Sequence, residues 1–171
     1  MSKPLAPHEV IAALVTEFDR DSDEGLLSRL RALPPLADEE DRCWLSDSYW
    51  GEIAYPYVAL ADLAASRKLR SAIPLLLERA SYGDPGEIMR GLRHALEAIV
   101  NPDWAVLAEL CITAAGSSRP GTKLWAISQL VVLEDRRAER ILLASIESEY
   151  EDIRDAAAMA LARLQHPMAP T

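Results

Sequence analysis

Between Ile153 and Leu164 the chain reads Ile-Arg-Asp-Ala-Ala-Ala-Met-Ala-Leu-Ala-Arg-Leu, and weaker copies of this spacing precede it. An offset of 31 residues sets Ala126, Ile127, Leu130, Val131 and Leu133 under Ala157, Ala158, Leu161, Ala162 and Leu164. A second offset of 31 reaches Ala95, Leu96, Ile99 and Val100, and about 36 more reaches Ala59, Leu60, Leu63 and Ala64. A period of 30–40 residues means helix pairs stacked so that each buries the apolar face its neighbour cannot bury alone. The expected fold is therefore all-α, an α-α superhelix of antiparallel helix pairs. It should form a single domain over residues 1–171, with irregular N-terminal helices over 1–66 and regular repeats over 71–164.

The helix signals agree with that period. Val10, Ile11, Leu14, Val15 and Phe18 make one apolar stripe from Pro7 to Phe18. A second helix is expected from Gly25 to Leu33, stopped by Pro34-Pro35, which cannot donate to the helix ladder. Asp38-Glu39-Glu40-Asp41 suits a helix N-terminus, with the helix running through Trp44 and Leu45 toward Tyr49. Another is expected from Glu52 to Ala65, with Pro56 either in its first turn or kinking it. Farther on, Ser71 caps a helix to Ala80, and Asp84-Pro85-Gly86-Glu87 reads as a capping box. Asn101-Pro102 repeats that device before Trp104 to Ala115, followed by Gly121 to Leu133, a helix opened by Asp135, and Ile153 to Leu164. No segment alternates strictly enough to argue for a strand.

The Ile153-Arg154 pair, followed by Ala157-Ala158, Ala160-Leu161-Ala162 and Leu164, resembles the second helix of a HEAT repeat, including the bacterial type named after phycobilisome lyases. The resemblance implies an α-superhelix and a pairing of Arg154 with an Asp of the preceding turn, for which Asp152 is the candidate. Lys123 would stand in for that Arg one repeat earlier, and Leu92 occupies the place before it. The resemblance covers 71–164 best and bears on architecture rather than activity, because unrelated functions share one fold. A plain helical bundle could carry the same Ala/Leu periodicity; the agreement of period, caps and prolines favours the superhelix.

The chain's 171 residues, 50% hydrophobic and 26% charged, are enough for an ordinary globular core. No apolar run approaches the ~18 residues of a membrane span, and the start has no charged-then-apolar leader pattern, so a cytoplasmic protein is expected. Cys43 and Cys111 lie far apart and read as thiols rather than a disulfide. The formal charge of −9 is uneven: residues 1–60 hold 12 Asp/Glu against 5 Lys/Arg, and residues 61–171 hold 15 against 13. An acidic pole repels phosphate backbones, which argues against nucleic acid, and it favours and accelerates encounter with a basic partner.

Candidate chemistry fails on its own requirements. Asp19 to Gly25 begins like a calcium loop, but position six is Glu24 where the turn needs Gly, and position twelve is Leu30 where a bidentate Glu belongs. Gly116 to Lys123 has phosphate-loop spacing, yet Pro120 removes a donor and no strand precedes it. His8, His94 and His166 are scattered, neither cysteine has a second one at zinc-ligand spacing, and no serine lies in Gly-x-Ser-x-Gly. Glu147, Glu149, Glu151 and Asp152 read as a solvated helix end. No cofactor and no metal are expected.

The segment from Asp38 to Tyr57 differs in kind. Five of the chain's ten aromatic residues, Trp44, Tyr49, Trp50, Tyr55 and Tyr57, fall within 14 positions, interleaved with Asp38, Glu39, Glu40, Asp41, Asp47 and Glu52. Tyr and Trp concentrate binding energy at interfaces, and adjacent carboxylates engage Arg or Lys. The same rings would also serve to seal the open end of a repeat stack, and both roles can be divided among them. Trp104 and Trp125 are expected in the core. The functional expectation is a non-enzymatic protein-binding module for a partner with a basic surface, specifically a bacterial inhibitor or immunity protein against a basic toxin. An adaptor or assembly scaffold is the alternative, and a HEAT-like chromophore lyase a further one.

Overall fold

The computed structural model describes residues 5–36, 46–80, 87–101, 103–133 and 135–165. The described residues are overwhelmingly helical and include no strand. In order the helices are α1 (Pro7–Phe18), α2 (Asp23–Ala32), α3 (Asp47–Tyr49), α4 (Tyr55–Ser66), α5 (Ile73–Arg79), α6 (Glu87–Val100), α7 (Trp104–Ala114), α8 (Pro120–Leu133), α9 (Glu139–Ser145) and α10 (Glu151–Gln165). A π-helical turn, Trp50–Ala54, joins α3 to α4, and 3₁₀ turns lead into α5 and α9. The chain divides into two compact units, Met1–Pro102 and Asp103–Thr171.

In the first unit α4 packs against α1, α2 and α6, and α5 packs against α2. α1 opens with Pro7 in its first turn, where no N–H is needed, and the Glu9 carboxylate accepts from the Ala6 N–H at 2.7 Å. α2 starts two residues before the expected Gly25, because the Ser22 hydroxyl caps it by accepting from the Gly25 N–H at 3.2 Å. Ser71 is not the cap of α5; it lies inside the 3₁₀ turn that enters the helix, and Pro74 falls in the helix's first turn as expected. α4 ends with Lys68 in the left-handed region, φ 54°, while the Leu69 N–H donates back to the Ala64 carbonyl at 2.9 Å. The Lys68 ammonium donates to the Ala98 carbonyl near the end of α6, where a cation suits the helix dipole.

Two arginines tie this unit together through backbone carbonyls. Arg67 donates to the Asp19 and Asp21 carbonyls at 2.8 and 2.9 Å and pairs with the Asp19 and Asp23 carboxylates at 2.9 and 3.1 Å. Arg79, 9% exposed, donates to the Arg31 and Leu33 carbonyls at 3.0 and 2.9 Å. The Asp19, Arg31 and Leu33 carbonyls lie at the C-terminal ends of α1 and α2, and the Asp21 carbonyl in the turn between those helices, so each arginine closes one helix end while fastening another element to it.

In the second unit α8 packs against α7 and α10, and α10 against α9. The cap of α7 is Asp103, whose carboxylate accepts from Ala105 and Val106, rather than the expected Asn101. Asp135 does open the next helix pair, accepting from the Arg137 N–H at 2.9 Å. Arg137 also forks onto the Asp135 carboxylate and reaches Glu109 and the Ala105 carbonyl on α7. Arg154 donates to the Ser148 and Glu149 carbonyls, both at 2.9 Å, and no ion pair joins it to Asp152. The preceding turn is thus held through its backbone instead of through a carboxylate.

Burial follows the repeated pattern closely. Ala59, Leu60, Leu63 and Ala64 on α4, Ala95, Leu96, Ile99 and Val100 on α6, and Ala126, Ile127 and Leu130 on α8 are all buried, as are Ala157, Leu161 and Leu164 on α10. Each fully buried Leu or Ile contributes about 1.5–3 kcal/mol relative to exposure. Ala158 and Ala162 depart from the pattern and are exposed, on a face of α10 that neither α8 nor α9 covers. Trp125 is buried as expected, at 1% exposure. No helix among the described residues is long and apolar enough to cross a membrane. The expected capping box at Asp84-Pro85-Gly86 and the side chain of Trp104 lie outside the described residues.

Candidate functional site

The helix from Asp47 to Ser66 runs without a break through the aromatic segment, and Pro56 sets its local geometry. Proline has no N–H to donate, and its ring crowds the carbonyl four residues before it, here that of Glu52. The turn ahead of Pro56 widens to i→i+5 pairing, with the Tyr55 N–H donating to the Trp50 carbonyl. Pro56 thus stands in the first turn of α4, one of the two places expected for it, and its crowding is absorbed by the π-helical turn that precedes it.

That turn decides which rings meet. In an α-helix of 3.6 residues per turn, residues five apart point roughly 140° away from each other. With i→i+5 pairing, residue i+5 comes back nearly over residue i, and the Trp50 and Tyr55 ring centroids lie 5.6 Å apart with planes tilted by 39°. Tyr49 meets Trp50 edge-on at 5.7 Å and 76°. The helix start is fixed by the Ser46 hydroxyl, which accepts from the Tyr49 N–H at 3.2 Å.

The six described members of the expected site separate by burial. Tyr49 and Tyr57 are inside, at 3% and 1% exposure, and the Tyr57 hydroxyl donates to the Leu76 carbonyl at 2.9 Å, joining α4 to α5. Trp50 and Tyr55 are half-buried, and Asp47 and Glu52 are exposed. The accessible set is therefore two rings in contact and two carboxylates, with Asp47 three residues ahead of Trp50 and Glu52 three ahead of Tyr55. Asp38, Glu39, Glu40, Asp41 and Trp44 lie outside the described residues.

The acidic pole is less uniform than its formal charge. Asp19 and Asp23 are paired with Arg67, Asp21 with Arg29 at 2.5 Å, and Glu24 with Arg31 at 2.7 Å. Asp47 and Glu52 have no such partner among the described residues, so their charge faces solvent. Elsewhere, hydrogen bonding from Arg137 holds the Asp135 carboxyl below its ordinary value, and burial raises that of Asp62. No group of three or more His, Cys, Asp or Glu among the described residues is placed to hold a metal ion.

Sequence reasoning missed the arginine clasps at Arg67, Arg79 and Arg137, because their partners are mainly backbone carbonyls or distant in the chain. It registered Pro56 without foreseeing that a widened turn would bring Trp50 and Tyr55 together. The chain matches no family model, no curated protein and no solved structure.

Proposed function

We propose that this chain is a non-enzymatic protein-binding module, built of HEAT-like helix pairs, that captures a basic partner protein on the Trp50–Tyr55 surface. The observation that carries the reading is the contact between two half-buried rings at 5.6 Å close in the chain to two exposed carboxylates that have no ion pair among the described residues. Large amphipathic rings on a fixed helix lose little conformational freedom on docking, and unpaired carboxylates steer a cationic surface toward them. The repeat reading is supported by the shared burial of the Ala and Leu positions on α4, α6, α8 and α10, and by the packing of α8 on both α7 and α10.

A specific form of the proposal is a bacterial inhibitor acting in the cytoplasm, which neutralises a basic toxin by covering it. A rigid surface of ordinary interface size, about 1,600 Å², can hold such a partner at nanomolar affinity or better. Co-expression with the cognate toxin should rescue growth, and binding of that single partner should weaken steeply with salt. Tight binding without rescue would replace inhibition with an adaptor role. Comparable weak affinity for many unrelated proteins would remove the inhibitor reading altogether.

A further inference from the structure

The second unit carries a cavity of its own, about 220 Å³, where the 3₁₀ turn into α9 and the first residue of α9 face the last turns of α10. Its apolar lining is Leu161 and Leu164, 9% and 7% exposed, and its polar lining is Arg136, Glu139 and Gln165, all exposed. Arg136 and Glu139 stand three residues apart, a spacing at which opposite charges on successive turns ordinarily pair. They pair neither with each other nor with any other described residue. The adjacent Arg137 behaves differently, engaging the Asp135 and Glu109 carboxylates at 2.7 and 3.1 Å.

We infer that this cavity binds a free apolar α-amino acid, with the carboxylate taken by Arg136, the ammonium by Glu139 and the side chain by Leu161 and Leu164. The inference concerns a different surface from the protein-binding segment and does not rest on it.

Charge and size select this class. An anion without a cationic group would satisfy Arg136 but meet its like charge at Glu139, and a simple cation would do the reverse. A zwitterion answers both. The guanidinium fork matches a carboxylate, and a carboxylate accepts from an ammonium through charge-assisted hydrogen bonds. The Gln165 amide, both donor and acceptor, can assist either group. The volume falls below the roughly 300–1,000 Å³ of pockets for drug-sized ligands and equals about seven waters, which suits a molecule of few atoms. In a peptide the terminal ammonium and carboxylate lie at opposite ends of the chain, whereas an amino acid carries both on one carbon beside an apolar group. Because both charged side chains are exposed, the affinity should be modest, about 0.1–1 mM.

The full chain labelled at its leucine methyls, titrated with unlabelled leucine, N-acetyl-leucine, leucinamide and glycine, tests the assignment of each group. The readout is the Leu164 methyl resonances, identified by their loss in Leu164→Met. Leucine should shift them saturably and raise the melting temperature, since it bridges α9 to α10 in the folded state alone. N-acetyl-leucine, which lacks the ammonium, leucinamide, which lacks the carboxylate, and glycine, which lacks the apolar group, should each bind at least about fivefold more weakly. Arg136→Gln should erase the preference over leucinamide, and Glu139→Gln the preference over N-acetyl-leucine. Absence of a Leu164 shift at about 10 mM leucine would overturn the site, and equal binding of all four compounds would overturn the assignment of its ligand.

Discussion

Arg79 buries a permanent charge at 9% exposure, and what makes that tolerable is the Glu78 carboxylate at 3.0 Å together with the carbonyl oxygens at the end of α2 that receive its N–H groups. Such charge-assisted bonds contribute about 1.5–3 kcal/mol each, and losing them also strands the acceptors. Arg79→Met, which keeps most of the side chain's volume, should therefore cost about 2–3 kcal/mol in urea unfolding; a loss below half of that would mean the α2 carbonyls find other donors. Tyr57→Phe should cost about 1 kcal/mol by leaving the Leu76 carbonyl without its hydroxyl donor, and should leave partner binding unchanged because the ring is interior. Asp135 gives a pH signature. Its folded-state pKa lies below the ordinary 3.8 because Arg137 bonds the ionised form, so its contribution is complete above that value and disappears as pH falls through the folded-state value. The stability difference between wild type and Asp135→Asn should accordingly shrink on going from about pH 7 to about pH 3, and a difference constant across that range would contradict the pairing.

At the scale of single helices, the repeated pattern makes opposite predictions for neighbouring alanines. Ala126 and Ala157 are fully buried where helices meet, so enlarging either to Leu should cost about 1–3 kcal/mol through overpacking. Ala158→Leu, on the exposed face of α10, should change stability by less than about 0.5 kcal/mol. Equal costs at Ala157 and Ala158, read from thermal melts, would contradict this register of α10. Much of this level was legible in the chain itself: α1, α8 and α10 begin and end within a few residues of where periodicity and prolines place them. Caps were less legible where several candidates stood side by side, as with Asn101 against Asp103, since only the backbone path shows which side chain can turn back onto the free N–H groups. The π-helical turn was not legible, because Pro56 announces a disturbance without saying whether the helix will break, kink or widen.

Taken as a molecule, the chain is two helical units, each with its own buried Leu and Ala positions, and its function is proposed to reside on the first. Circular dichroism should show a predominantly helical protein, and chelator treatment should leave the melting temperature unchanged; a large drop would mean that a metal ion holds the fold together. The aromatic segment was visible in the sequence as a cluster, but composition could not separate rings that fill the core from rings that face outward. Burial makes that division, placing Tyr57 and Tyr49 inside and leaving Trp50 and Tyr55 beside Asp47 and Glu52. This remaining set is proposed to capture a basic protein. Its most direct test is quantitative capture from lysate of the source cells by wild type and by Trp50→Leu with Glu52→Gln, compared by mass spectrometry after equal melting temperatures have been verified. A basic protein held by the wild type should be lost, or at least tenfold depleted, with the double variant, as expected when an aromatic anchor of about 2 kcal/mol is removed. Retention of the same proteins in the same amounts by both would contradict it.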